Sequence, residues 1–193
     1  VSYDNAGTVE FLLDQAGKFY FIEMNPRLQV EHTVTEQITA IDIVRNQIKI
    51  AAGLPISVQQ KDVTLQGHAI QCRINAEDPK NNFLPCTGTV TAYHSPGGIG
   101  VRIDGAVYKD YTVQPYYDAL LAKLTVRGRS WEETVSRMRR SLEEYVLRGL
   151  KTTIPFMEGI MQEPDFIAGR FDTSYLDTHP ELYAYHEFEQ PED

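Results

Sequence analysis

The chain has 193 residues, enough for one substantial core or for one domain and part of another. A net charge of −9 argues against electrostatic binding to nucleic acid or anionic lipid, and no apolar run approaches the length of a membrane span. The two cysteines, Cys72 and Cys86, have neither CxxC spacing nor His-rich surroundings, and no secretory signal is read at the start; free thiols in a reducing, cytoplasmic compartment are expected.

Residues 8–14 read as a strand, residues 15–18 as a hairpin loop, and Phe19 to Asn25 as the returning strand, which Pro26 ends because it has no N–H to give. Side chains two apart on a strand share a face, so Glu23 and Asn25 point the same way. A four-residue loop pairs Asp14 with Phe19 and sets Glu10 opposite Glu23. Directly opposed antiparallel residues lie roughly 4.5–5.5 Å apart, where like charges destabilise the pair. A divalent cation removes that conflict, and Asn25 offers a third oxygen to a magnesium ion that keeps its other positions for water and phosphate. The bland alternative is a wet sheet face that binds nothing, and a loop one residue shorter would turn Glu10 to the other side.

Thr33 and Glu36 have capping-box spacing, and Ile38, Ile41, Val44, Ile48 and Ala51 fall on one face of the helix that follows, which Gly53 and Pro55 stop. The stripe is expected to be core. The helix head, just after Gln29, Val30 and Glu31, suits a small anion, and the planar fork of Arg27 suits an oxyanion. Arg27 is otherwise a surface ion-pair residue. Glu31 is either a general base or the acidic residue favoured near a helix start.

Residues 55–66 are a polar connector, after which the chain becomes β-rich: residues 68–74, 89–94, 100–103 and 120–126 read as strands, with Gly97-Gly98 as a hairpin turn. Arg73 on an inner strand is costly unless it meets an anion, or an acid such as Glu77. Ser130 and Glu133 form a second capping box. Its helix buries Val135, Met138, Leu142 and Tyr145 and ends at Gly149. Thr153 and Pro155 start a shorter helix that stops before Pro164. Tyr116 and Tyr117 read as packing residues, and the acidic stretch from Glu187 as a frayed end.

Glu10 followed by Glu23-x-Asn25 resembles the metal-binding end of an ATP-grasp enzyme. The runs Arg27-Leu28-Gln29-Val30-Glu31-His32-Thr33-Val34-Thr35-Glu36 and Gly67-His68-Ala69-Ile70-Gln71-Cys72-Arg73-Ile74-Asn75-Ala76-Glu77-Asp78-Pro79 resemble biotin carboxylase, as do Pro115-Tyr116-Tyr117-Asp118 and Arg148-Gly149-Leu150-Lys151-Thr152. The resemblance covers nearly the whole chain. It implies an α+β fold: the C-terminal part of an ATP-grasp domain over residues 1–60, then the biotin carboxylase C-terminal domain, an antiparallel sheet with flanking helices, over 61–180, and an acidic tail over 181–193. It further implies an upstream half that carries the glycine-rich lid, so that this piece alone is expected to be inactive.

By the same resemblance the parent is an ATP-dependent ligase that carboxylates biotin on a carrier protein or domain, with a carboxyltransferase as further partner and a homodimeric assembly. Its substrates and cofactors are ATP, bicarbonate, biotin and Mg²⁺ or Mn²⁺. The implied metal ligands are Glu10, Glu23 and Asn25. Arg27 holds bicarbonate with Gln29 and the backbone near Val30, Glu31 is the base, and Arg73 steadies the biotin enolate. Leu12 and Thr173 border the nucleotide, Tyr116-Tyr117-Asp118 lies close to the site, and Ile99 and Arg102 match a dimer contact. The ending from Asp172 to Leu182 looks more like the pyruvate carboxylase branch. Another ATP-grasp ligase and a non-catalytic assembly module are the other readings.

Overall fold

The computed structural model describes residues 2–185, and the chain divides into two compact units, Val1–Gln66 and Gly67–Asp193. In the first, runs rich in aromatic and other apolar residues build β1 (Thr8–Leu13) and β2 (Phe19–Asn25), an antiparallel hairpin. Asp14 closes the turn instead of the ladder: its backbone N–H donates to the Lys18 carbonyl, and its carboxylate accepts from the N–H groups of Ala16 and Lys18. Those N–H groups also hold the Asp14 carboxyl below its ordinary value, the Lys18 contact foremost. The ladder therefore begins at Leu13 and Phe19, not at the expected Asp14 and Phe19. That slip alone would turn Glu10 away from Glu23. A bulge corrects it. Phe11 pairs with Phe21 but Glu10 pairs with Glu23, so Ile22 is the extra residue.

The single helix expected after the hairpin is two. α1 (His32–Thr39) ends in the left-handed residue Ala40, at φ 57°, and α2 (Ile43–Ala51) starts anew from Asp42, whose carboxylate accepts from the Arg45 N–H at 2.7 Å. The first capping box does not form. Glu36 accepts from the N–H of Ile43 at 2.7 Å, and no side chain caps α1. Nor is the apolar stripe a core: no residue of α2 is buried, and Ile48 is 66% exposed.

The second unit begins with β3 (His68–Asn75), followed by β4 (Glu77–Asp78), β5 (Leu84–Pro85), β6 (Gly88–Thr89), β7 (Ala92–His94), β8 (Val101–Gly105), β9 (Thr112–Val113) and β10 (Leu120–Gly128). Then come α3 (Trp131–Glu143), β11 (Val146–Arg148), α4 (Ile154–Ile160), α5 (Pro164–Ile167) and α6 (Tyr175–Thr178). The main sheet is antiparallel in the order β3-β10-β8, with β4-β5, β6-β9 and β7-β11 as small pairs. Its inner face packs on α3 through Ile74, Leu124, Val126, Met138 and Leu142, all fully buried.

Several local expectations change here. Residues 89–94 break into β6 and β7, which join different partners. Gly97-Gly98 is not a hairpin turn, because β7 pairs with β11 while β8 pairs with β10. α3 stops at Glu143, and β11 intervenes before Gly149. Gly149 has φ +100°, and a Cβ there would lie 2.1 Å from the Thr89 carbonyl oxygen, so the close approach of two chain segments demands glycine. Pro164, finally, does not only follow a helix but opens α5. The second capping box is half as expected: Ser130 accepts from the Glu133 N–H, but Glu133 reaches the Arg129 N–H instead of Ser130. Folded chain continues past 181, since Leu182 in the 3-10 turn Pro180–Ala184 is buried in the core. The stretch from Glu187 lies outside the described residues.

Candidate active site

Register brings four of the singled-out residues together on the hairpin. The Asn25 amide Nδ2 donates to Glu10 Oε1 at 3.0 Å and to Glu23 Oε1 at 2.8 Å, and Gln29 Nε2 donates to Glu10 Oε1 at 2.7 Å. Two opposed carboxylates thus converge on one amide. An amide carries only partial positive charge and offsets little of their repulsion. A half-turn of the Asn25 amide presents its oxygen at the same place, giving three hard oxygens, the donor type that magnesium or manganese takes. No group of three His, Cys, Asp or Glu side chains that could hold a metal gathers among the described residues; beside the two carboxylates stands the Asn25 amide. Gln29 Oε1 is buried with no hydrogen-bond partner, a second sign that this polar cluster is built for more than its own contacts. The residues fit the implied metal.

Arg27 is exposed and donates through Nη1 to the Leu28 carbonyl at 3.2 Å. Glu31 is the N-cap residue of α1, and the Gln29 carbonyl accepts from the His32 N–H at 3.2 Å. Gln29, expected to support an anion beside Arg27, donates its amide to Glu10. Val30 is half-buried, and Leu12, on the hairpin, is 60% exposed.

In the second unit, Arg73 sits on β3, the edge strand of the sheet, and is exposed, so the expected cost of an arginine on an inner strand does not arise. Cys72 and Ile74 on either side point into the core. Burial pushes the Cys72 thiol up to about 12, which keeps it protonated and inert. On its open edge β3 is held by Thr153. The Thr153 hydroxyl donates to the Arg73 carbonyl at 2.9 Å and accepts from the Asn75 N–H at 3.0 Å, and its own N–H donates to the Asn75 carbonyl at 3.1 Å. Across the other edge Arg73 faces Lys123 of β10, and Lys123 faces Asp104 of β8. Lys123 carries no motif of its own, and only the strand register brings it beside Arg73. Thr173 is exposed in the turn before α6. Tyr116 and Tyr117, expected to pack, are 83% and 82% exposed, and Ile99 is 92% exposed. A cavity of about 740 Å³ opens among α3, β11 and α4, where burial, then the charge of Glu143, pushes the Glu158 carboxyl up; the run Arg148 to Thr152 lines it, but none of the expected metal, bicarbonate or biotin residues does.

Residues 71–178 match the family model of the biotin carboxylase C-terminal domain. The chain belongs to the biotin carboxylase C-terminal domain family. Residues 1–59 match the ATP-binding domain of the carbamoyl-phosphate synthase L chain, so an ATP-grasp-type segment precedes the biotin carboxylase C-terminal domain. Among curated proteins the chain is 51% identical, over its full length, to the 2-oxoglutarate carboxylase small subunit of Hydrogenobacter thermophilus, of which it covers 41%. A crystal structure of that enzyme's biotin carboxylase domain dimer, in complex with MgADP, ADP and bicarbonate, matches with a TM-score of 0.92 and 52% identity over 95% of this chain and 40% of that one. The biotin carboxylase subunit of a pyruvate carboxylase matches with a TM-score of 0.93 and 55% identity, over 95% of this chain and 41% of that one. The chain spans about two fifths of the length of these relatives. Among the described residues no helix is long and apolar enough to cross a membrane.

Proposed function

We propose that the whole protein carboxylates biotin carried on a carrier protein or domain, using ATP and bicarbonate. The observation that carries this reading is the pair of opposed carboxylates, Glu10 and Glu23, bridged by Asn25 in a chain of this family. Glu10, Glu23 and Asn25 hold a magnesium or manganese ion, which when bound offsets phosphate charge. Arg27, with backbone N–H groups near Val30 and Glu31 and with Gln29 in support, holds bicarbonate. Glu31 takes its proton, a general-base task worth typically ~10²–10⁴ in rate. The bicarbonate oxygen then attacks the γ-phosphorus of ATP to give carboxyphosphate and ADP. Carboxyphosphate breaks down to CO₂ and phosphate, phosphate removes the biotin N1′ proton, and N1′ attacks CO₂. Arg73 stabilises the enolate oxygen that forms in between, and Leu12 and Thr173 border the adenine. Ile99 and Arg102 contribute to a homodimer, and a carboxyltransferase domain or subunit receives the carboxylated carrier.

In a preorganised site one such donor is worth about 3 kcal/mol. Arg73→Ala in the whole protein therefore lowers biotin carboxylation by about a hundredfold, while bicarbonate-dependent ATP cleavage without biotin falls far less. Equal losses in the two assays contradict the role given to Arg73.

A further inference from the structure

The outer face of the main sheet is basic in a chain whose net charge is −9. By alternation, Arg73, Lys123, Arg127, Arg102 and Asp104 share that face, four cations to one acid. Arg73 and Lys123 are directly opposed on antiparallel strands, a placement in which like charges destabilise the sheet. The acid on the far side of Lys123 is already engaged. Asp104 is engaged by Arg102 through Nε at 2.7 Å and Nη2 at 2.8 Å, and the Lys123 ammonium makes no hydrogen bond or ion pair among the described residues. The backbones that carry the two cations are held in place, since Thr153 clamps the Arg73 carbonyl on the free edge of β3 and β10 is the central strand.

A lone enolate oxygen is matched by one guanidinium. A planar fork beside a point charge suits an anion that spreads more than one negative charge over several oxygens, and phosphate is the species of that kind present in the proposed reaction. We propose that Lys123 binds inorganic phosphate next to Arg73, holding it where it takes the biotin proton; the assignment rests on the biotin carboxylase reading. In that step the N1′–H bond breaks, the proton forms an O–H bond on a phosphate oxygen, and the electron pair stays on the ureido group. Lys123 keeps the base beside the oxygen that Arg73 stabilises.

The experiment is a thermal-shift titration of the whole protein with inorganic phosphate, with MgADP saturating so that the nucleotide's own phosphate positions are filled. Wild type shows a saturable rise in Tm. Lys123→Met needs about tenfold more phosphate for half the effect, the size of one charge-assisted hydrogen bond, and Lys123→Arg returns to within about twofold of wild type. Lys123→Gln replaces Lys123→Met if the latter does not fold. A wild-type phosphate response in the neutral variants overturns the proposal, as does the absence of any saturable response in wild type. If the phosphate pattern holds but wild type does not carboxylate biotin, the functional reading falls and the phosphate seat stands.

Discussion

Among the described residues of the first unit the two buried side chains are Thr33 and Glu36, both polar; in the second unit twenty apolar side chains are buried. The second unit is built by packing, with α3 laid on the inner face of a three-stranded sheet. The first is held by local polar contacts: the Asp14 turn, the Asp42 cap, the bond from Ile43 to Glu36 and the amides on Glu10. Its largest hairpin side chains are exposed, Phe19 and Phe21 at 67% and 64%, and each meets Phe11 edge-on. Function follows the same division. The hairpin sets two acids against each other and the sheet sets two bases against each other, and in the proposed function and the further inference a ligand of opposite charge meets each pair.

The largest effect that tests this division is on stability. Leu124→Ala should cost about 3 kcal/mol in urea unfolding, whereas Ile48→Ala, at the same kind of residue on α2, should stay within about 0.5 kcal/mol. Equal costs would erase the distinction between the units. A smaller effect separates charge from packing within the hairpin. Glu10→Gln should stabilise the chain by about 0.5 kcal/mol in chelator-treated buffer, because like charges no longer oppose, and should abolish the rise in Tm that magnesium gives wild type. The smallest is a pH effect in the second unit. The hydrogen bond from Lys151 holds the Asp78 carboxyl below the ordinary 3.8, with Nζ 2.6 Å from Oδ2. The folded value lies below the unfolded one, so the pair adds stability above that ordinary value and loses it as pH falls through the folded value. The gap in acid stability between wild type and Asp78→Asn should therefore be widest above pH 3.8 and close below it.

Much of the strand content was legible, because alternation marks β3, β8 and β10 directly. The Glu10–Glu23 pairing was legible too, but through two departures that offset each other: Asp14 leaves the ladder to close the turn, and Ile22 bulges to restore the face. The break between α1 and α2 was marked by Asp42, a good N-cap, and was hidden by an apolar period that runs straight through it. Periodicity identifies an apolar face but not what covers it, which is why the stripe on α2 is exposed. Lys123 was invisible for a different reason. Its significance lies in what stands opposite it, and no single strand's sequence contains that.

The central claim is that Glu10 and Glu23 share one divalent cation with Asn25. It is tested most directly by the magnesium dependence of bicarbonate-dependent ATP cleavage by the whole protein carrying Glu23→Gln, with wild type alongside. The half-saturating magnesium concentration should rise by at least about tenfold, the loss of one charged ligand. An unchanged magnesium requirement would remove Glu23 from the metal shell and leave the opposed carboxylates without their explanation.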